Sequence, residues 1–190
     1  MSLFAVLLAA GQSRRFGVAD KLLAPLEGRP LVRWSADTLR TVPANGFAAV
    51  VSSGRVAALL PPGFQIAHIA PGRDMALSFQ LALRLARDAG ASRVLIALGD
   101  MPLVPPEHLA RLAQRTESAA SRVHERRLPP VLIAALDFDR ASAVARGDGG
   151  ARDFIRGLAE DACVVMDPDA ARDVDEEQDI VRLTTILSRS

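Results

Sequence analysis

Several residue types and patterns are scarce in this chain of 190 residues, and each scarcity excludes a class of protein. Cys163 is the single cysteine, so no internal disulfide can form, and its apolar neighbours predict a buried, reduced thiol. No apolar run reaches the roughly 18 residues of a membrane span, and the amino terminus has no features of a secretion signal. A formal net charge of +1 leaves no basic surplus for coating a nucleic acid. We therefore expect one cytoplasmic domain over residues 1–190, with no nucleic-acid or membrane partner.

Lysine is almost absent as well, because Lys21 is the only one and the other 22 of the 23 Lys and Arg residues are arginine. Lysine is a compact, flexible point charge, whereas the planar guanidinium of arginine binds best through a bidentate fit. Lys21 follows an apolar run and a loop that begins at Gly11 and carries Arg14 and Arg15. Glycine lets the backbone approach a phosphate closely, and successive amide groups can donate to it. The segment from Leu8 to Lys21 therefore predicts a phosphate-binding loop.

Two common phosphate-binding loops can be compared with this segment residue by residue. A Walker loop requires Gly-Lys-Ser/Thr after its spacer, but Val18 follows Gly17 here. A dinucleotide-binding fingerprint requires Gly-x-Gly-x-x-Gly, and the spacing from Gly11 to Gly17 does not match it. The second predicted strand also ends in serines rather than in the acid that binds a ribose diol. Both loop types are excluded.

Apolar runs and helical periodicity alternate along the chain. Strands are predicted at about residues 4–10, 47–51, 65–69, 93–98 and 163–166, and helices at about 31–42, 75–89, 105–115, 138–145, 151–158 and 176–187. Residues 119–135 are interpreted as a hairpin or a pair of edge strands. The alternation favours a three-layer α/β domain whose mainly parallel sheet is covered on both faces.

Three turns that follow predicted strands carry small or charged residues: Gly11, Ser52–Gly54 and Gly99–Pro102. Ligands of parallel α/β sheets bind at the carboxyl ends of the strands. The three turns are therefore expected to form one site, with Lys21 and Asp100 facing each other across it.

Two segments together resemble the MobA-like nucleotidyltransferase family, especially the enzymes that attach CMP or GMP to molybdopterin. They are Leu-Ala-Ala-Gly-Gln-Ser-Arg-Arg-Phe-Gly over residues 8–17 with Asp20-Lys21, and Gly99-Asp100-Met101-Pro102. The resemblance covers nearly the whole chain, with Phe16 where the family has methionine. It implies a Rossmann-like nucleotidyltransferase fold. The implied reaction is attack of a cofactor phosphate on the α-phosphorus of a nucleoside triphosphate, with pyrophosphate leaving.

The resemblance assigns catalytic roles that agree with phosphoryl-type transfer, in which the protein mainly positions and neutralises charged groups. Lys21 is expected to neutralise the triphosphate, and Arg14 and Arg15 to hold its β and γ phosphates. Asp100, at a strand end, is expected to carry Mg²⁺ with most of the ion's water retained. The predicted catalytic residues are thus Lys21, Arg15 and Asp100.

A second metal ligand is expected from the acid-rich carboxyl-terminal segment. In the family, an Asp-x-Asp segment near the last helix completes the site, and a further acidic residue follows it. Asp173-Val174-Asp175 corresponds to that segment in this chain, and Asp179 corresponds to the later acidic residue. The Thr-Pro of the family is replaced by Glu176-Glu177. Asp175 is the predicted ligand beside Asp100, ahead of Asp173.

Two residue sets are predicted, by resemblance, to bind the substrates. The nucleotide set contains Leu8, Ala9, Ala10, Gly11, Ser13, Arg14, Lys21, Ser53, Ser78 and Asp100. The acceptor set follows from residues 147–152 and 129–131, which are similar to the family's Gly-Asp-x-Gly-Ala-Arg and Gly-x-Pro-x segments, and contains Pro130, Asp148, Gly150 and Arg152. Arg152, at a helix start, is suited to binding a phosphate. The family glycines near Asp74 and before Pro129 are absent.

The identity of the base stays open between CTP and GTP. Ala9-Ala10-Gly11 and residues 147–152 resemble the cytidylyl branch, which makes CTP the first choice, whereas the spacing from Gly17 to Lys21 resembles the guanylyl branch. The alternatives are transfer onto a sugar phosphate and a non-catalytic chaperone that binds nucleotide or cofactor. Release of pyrophosphate separates an enzyme from a carrier. Expected partners are a nucleoside triphosphate, a molybdopterin-type small molecule and a transient molybdenum-enzyme client, for a monomer or weak homodimer.

Overall fold

Strands and helices alternate through residues 1–11, 16 and 20–189, which the computed structural model describes, apart from the side chain of Asp148. The strands are β1 (Leu3–Ala9), β2 (Pro25–Leu26), β3 (Arg29–Pro30), β4 (Gly46–Val51), β5 (Phe64–His68), β6 (Arg93–Leu98), β7 (Ala119–Val123), β8 (Arg126–Ala134) and β9 (Cys163–Val165). The helices are α1 (Leu31–Leu39), α2 (Gly54–Leu59), α3 (Met75–Asp88), α4 (Pro106–Ala113), α5 (Phe138–Val144), α6 (Arg152–Arg156) and α7 (Glu177–Leu187).

Seven of these strands form one sheet in the order β5-β4-β1-β6-β8-β7-β9. The pairs β1 with β4, β1 with β6, β4 with β5 and β7 with β9 are parallel. β8 runs antiparallel to both of its neighbours. The prediction of a mainly parallel sheet is confirmed, and β1 lies near its centre.

Two hydrophobic cores, one on each face of the sheet, produce the three layers. Successive side chains of a strand point to opposite faces, so β1 contributes Leu7 to one core and Val6 to the other. The Leu7 core contains buried residues of α1, α2, α4 and α7, and the Val6 core contains buried residues of α3, α5 and α6. Burial on both faces explains why β1 and β6 are continuous apolar runs in the sequence.

Of the two interpretations of residues 119–135, the hairpin is confirmed and the pair of edge strands is wrong. β7 and β8 pair in antiparallel fashion, β8 inserts beside β6 with Val131 opposite Ile96, and β9 covers the outer side of β7. β8 is therefore an inner strand, which agrees with its buried run from Val131 to Ile133. The expected burial of Cys163 is also wrong, because this residue lies on the short edge strand β9 and is partly exposed.

Two short elements were not predicted from the sequence. One is α2, which begins at Gly54 and directly follows the serines after β4. The other is the two-residue ribbon of β2 and β3, whose turn has positive φ at both Glu27 (50°) and Gly28 (73°). Such short elements show little hydrophobic periodicity. Within the described residues, no helix is both long and apolar enough to cross a membrane.

A buried polar chain ties α4 to the hairpin. The Nε2 of fully buried His108 lies 2.7 Å from the Ser121 hydroxyl, which donates to the carbonyl of Pro130 at 2.8 Å. An Arg111 N–H group faces Nδ1 of the same ring at 3.2 Å. Because Ser121 gives its hydrogen to Pro130, Nε2 carries the ring hydrogen and Nδ1 accepts from Arg111. Burial and the charge of Arg111 lower the pKa of His108 to about 4.

We expect His108 to make the free energy of unfolding fall by about 2 kcal/mol between pH 7 and pH 5. Its pKa is near 6.5 in an unfolded chain and about 4 in the fold, so protonation favours the unfolded state. The stabilisation is complete above pH 6.5 and is lost as the pH falls towards 4. Urea denaturation of the wild type and of His108→Gln at both pH values measures the contribution of His108 to the free energy of unfolding. An equal pH dependence of both proteins would contradict the assignment.

Candidate active site

Lys21 is held at the end of the sheet by a short capped turn. It begins a 3-10 turn, Lys21–Leu23, whose cap residue Asp20 accepts a hydrogen bond from the Leu22 amide at 3.1 Å. Leu22 is buried and packs beside Gly99 at the end of β6. The turn therefore fixes the backbone of Lys21, whose side chain is only 7% exposed.

Asp100 is placed by the close approach of β6 to β1. The Gly99 amide donates to the Leu8 carbonyl at 2.8 Å, which continues the strand pairing to the last residue before Asp100. A Cβ atom on Gly99 would lie 3.3 Å from the Ala9 Cβ and from the Leu8 oxygen, so glycine permits this approach. Asp100 consequently lies beside the start of the Gly11 loop, at the carboxyl edge of the sheet.

The amino group of Lys21 joins two carboxylates from distant parts of the chain. Its Nζ donates to Asp100 Oδ2 at 2.8 Å and to Asp175 Oδ1 at 3.0 Å. The structure thus brings together the lysine and aspartate that the sequence analysis placed on opposite sides of one site, and adds Asp175 to them.

Asp175 is positioned by the start of α7. The Val174 amide donates to the Asp100 carbonyl at 3.0 Å, which fixes this segment to the turn after β6. Asp179 accepts from the amides of Asp175 and Glu176, both at 2.9 Å, and Glu176 completes a capping box with it. The replacement of the family's Thr-Pro by two glutamates therefore still leaves a well-formed helix start.

Sequence reasoning gave Asp179 a location but no role, and Glu176 with Asp179 does not have the residue types of the usual Ser/Thr-x-x-Glu/Gln capping box. Desolvation would raise the pKa of Asp179, but its two backbone hydrogen bonds and the nearby Arg182 outweigh this, so the pKa is lowered. Asp179 is thus an ionised positioning residue behind Asp175. Asp20 has a similar role behind Lys21, and sequence reasoning missed it.

The cluster carries an excess of negative charge. Burial alone would lower the pKa of Lys21, but the charge of Asp100 and the hydrogen bonds to Asp100 and Asp175 raise it overall, so the group stays protonated. Desolvation of its carboxyl, together with the charges of Asp100 and Asp175, raises the pKa of Asp173. Among these four described groups, three carboxylates face one ammonium when all are ionised. This balance suits a divalent cation.

The donor set fits Mg²⁺ bound through few protein ligands. Within the described residues, no three His, Cys, Asp or Glu side chains are arranged around one point as a ready-made metal cage. Asp100 and Asp175 instead converge on one cation, the Lys21 amino group. Mg²⁺ commonly takes one or two carboxylates and completes its shell with water and substrate phosphates. Asp100 and Asp175 are therefore the residues that would hold it.

The other residues of the predicted nucleotide set border the same edge where the structure describes them. Leu8, Ala9 and Ala10 are buried at the end of β1, and Gly11 is exposed just beyond it. Ser53 is the residue just before α2 and follows the neighbouring strand β4; its side chain makes no capping hydrogen bond. Ser78 is only 3% exposed, in the first turn of α3. Ser13, Arg14 and Arg15 lie outside the described residues, and their roles stay predictions.

The acceptor set is only partly assembled around this edge. Gly150 has φ +52°, and a Cβ atom there would lie 2.6 Å from Met75 Cγ, so the glycine turn packs against the start of α3. Arg152 is exposed at the first residue of α6. Pro130 is buried on β8, one residue before Val131, which pairs with Ile96 near the end of β6. Asp148 lies in a 3-10 turn, and its side chain is outside the described part of the chain.

Comparison with known proteins identifies the family of this chain. A model of the MobA-like NTP transferase domain matches residues 5–163. The chain belongs to the MobA-like NTP transferase family. This confirms the resemblance inferred from residues 8–21 and 99–102.

Two curated relatives of this MobA-like chain carry different names. A molybdenum cofactor guanylyltransferase of Cereibacter sphaeroides is 29% identical over 196 residues, covering 100% of this chain and 99% of that protein. A nicotine blue oxidoreductase of Paenarthrobacter nicotinovorans is 31% identical and covers 94% of each chain. The family and the first relative support a nucleotidyltransferase, without fixing the base.

Solved structures show the same fold. Rv0371c from Mycobacterium tuberculosis H37Rv superposes with a TM-score of 0.81 at 23% identity, covering 97% of this chain and 99% of that one. A nucleotidyl transferase from Methanothermobacter thermautotroptrophicus superposes with a TM-score of 0.79 at 20% identity, covering 99% of this chain and 98% of that one. A complex of Rv0371c with manganese gives 0.76 at 23% identity, covering 97% and 99%. These likenesses support the α/β nucleotidyltransferase fold of the MobA-like chain.

Proposed function

We propose that this protein is a Mg²⁺-dependent nucleotidyltransferase that transfers a nucleoside monophosphate to the phosphate of a molybdopterin-type acceptor and releases pyrophosphate. The observation that carries the proposal is the buried Lys21 amino group, shared at 2.8 and 3.0 Å between Asp100 and Asp175. This cluster lies at the carboxyl edge of the sheet, beside the start of the Gly11 loop. A fixed positive charge and a cation-binding carboxylate pair are the parts that phosphoryl-type transfer requires.

Each described residue of the cluster has a definite task in this proposal. Lys21, kept protonated by Asp100, neutralises charge that builds on the leaving pyrophosphate. Asp100 and Asp175 hold Mg²⁺, which supplies further neutralisation of the triphosphate when it is bound. The acceptor is an ionised phosphate monoester, so no general base is needed and the carboxylates do not have to move protons.

The comparisons support the acceptor and the metal without fixing them. A relative that matches the whole chain is named for guanylyl transfer to the molybdenum cofactor, and a protein of the same fold has been crystallised with manganese. The relative named as an oxidoreductase suggests redox chemistry. The charged cluster of this chain favours transfer of a phosphate-bearing group instead, because an ammonium and two carboxylates bind phosphate and metal ions.

Two nucleoside triphosphates, CTP and GTP, are proposed as substrates, and a different observation supports each of them. CTP is supported by the first loop, in which Ala9-Ala10-Gly11 resembles the cytidylyl branch. GTP is supported by the names of full-length relatives at 29% identity.

A pyrophosphate-release assay with each of the four NTPs, molybdopterin and Mg²⁺ tests the proposal. We expect pyrophosphate only when NTP, molybdopterin and Mg²⁺ are all present, with kcat/KM highest for either CTP or GTP. Omission of each component and replacement of molybdopterin by a sugar phosphate are the controls. Tight binding of nucleotide and cofactor without pyrophosphate release would identify a carrier and reject the enzyme proposal. Faster turnover with a sugar phosphate would reject the acceptor.

A further inference from the structure

We propose that Lys21 acts as an internal cation in the nucleotide-free protein and competes with the divalent ion for the same oxygens of Asp100 and Asp175. Metal binding is then weak until the phosphates of a nucleotide draw the Lys21 amino group away. Metal and nucleotide consequently bind with positive coupling. This inference rests on the proposed Mg²⁺-dependent function and concerns the order in which its site is assembled.

The proposed competition between Lys21 and the metal ion rests on two distances. Lys21 Nζ lies 2.8 Å from Asp100 Oδ2 and 3.0 Å from Asp175 Oδ1, so both oxygens already point at one cation. Mg²⁺ binds carboxylate oxygens at about 2.1 Å. An ion bound to both oxygens would therefore lie within a few ångströms of the amino group if Lys21 did not move. Like charges this close repel each other.

The charge and chemistry of the site favour an exchange of the two cations. Lys21 brings one positive charge to the oxygens of Asp100 and Asp175, whereas Mg²⁺ in its place would bring two. The backbone of Lys21 is fixed by the Asp20 cap, but its side chain has four methylene groups and can redirect its amino group. Phosphate oxygens offer the displaced amino group a new anionic partner.

One NMR titration tests the exchange directly, because Lys21 is the only lysine of the chain. Selective isotope labelling of lysine gives a single side-chain signal in the full-length wild-type protein. We expect this signal to move during a Mg²⁺ titration without nucleotide, with the same midpoint as metal binding measured by calorimetry. Asp100→Asn should remove the response. An unchanged lysine signal at saturating Mg²⁺ would overturn the inference.

A matched pair of variants gives an independent test. Lys21→Met and Arg84→Met each remove one positive charge, and Arg84 is an exposed residue of α3. We expect the affinity for Mn²⁺, measured without nucleotide by paramagnetic resonance, to rise about tenfold or more in Lys21→Met only. Equal affinities in the two variants would show that the amino group does not compete for the carboxylates.

The two proposals fail in different ways. Pyrophosphate release with an unresponsive lysine signal would leave the enzyme proposal standing and reject the competition. A metal-dependent lysine signal in a protein that turns over no nucleotide would support the competition and reject the enzyme proposal.

Discussion

Replacing Lys21 with arginine should lower the rate of pyrophosphate release by about a hundredfold or more, although the charge is conserved. Lys21 is 5% exposed, and its amino group lies within 3.0 Å of both carboxylates. A guanidinium is larger and planar, so it cannot occupy this position and also turn its charge towards a triphosphate. The loss should appear in kcat as well as in kcat/KM, because it concerns charge that develops during the reaction.

Steady-state pyrophosphate release by the wild type and Lys21→Arg, at saturating Mg²⁺, measures this effect. Arg87→Lys is a suitable control, because Arg87 forms an exposed ion pair with Asp139 and the swap again conserves charge. We expect near wild-type activity from this control. Near-normal turnover of a folded Lys21→Arg protein would show that a positive charge alone is enough and that the compact amino group has no special role.

The central part of the fold could be predicted because its signals are local. β1 and β6 are apolar runs that are buried on both faces, and α3 has a long amphipathic period. Their bounds agree with the sequence-based expectation to within one residue. The order of strands in the second half could not be predicted, since a hairpin pattern does not say which strand pairs with β6. That choice depends on the contact of Val131 with Ile96, which is distant in sequence.

The candidate site shows the same division between local and distant signals. The rule that ligands bind at the carboxyl ends of parallel strands was sufficient to bring Lys21 and Asp100 together. Asp175 lies 154 residues beyond Lys21, and only a resemblance to a known family pointed to it. The support that Asp179 gives to Asp175 is a hydrogen-bond arrangement, which the spacing of the residues suggests but does not establish. The acceptor residues have the weakest signals, because they were assigned mainly through a resemblance to a known family.

Asp100→Asn should cause the largest loss, about a thousandfold in pyrophosphate release. The change keeps the shape of the side chain but removes the charge that contributes most to the raised pKa of Lys21, and it weakens one of two carboxylates available to Mg²⁺. Raising the Mg²⁺ concentration should restore only part of the activity, because one of the two carboxylate partners of Lys21 is lost as well. Asp173→Asn is the matched control, since Asp173 acts on the cluster through its charge; it should lose less than about tenfold. Rate measurements over a range of Mg²⁺ concentrations distinguish the two variants, and equal losses in both would mean that the total charge of the cluster matters rather than the position of Asp100.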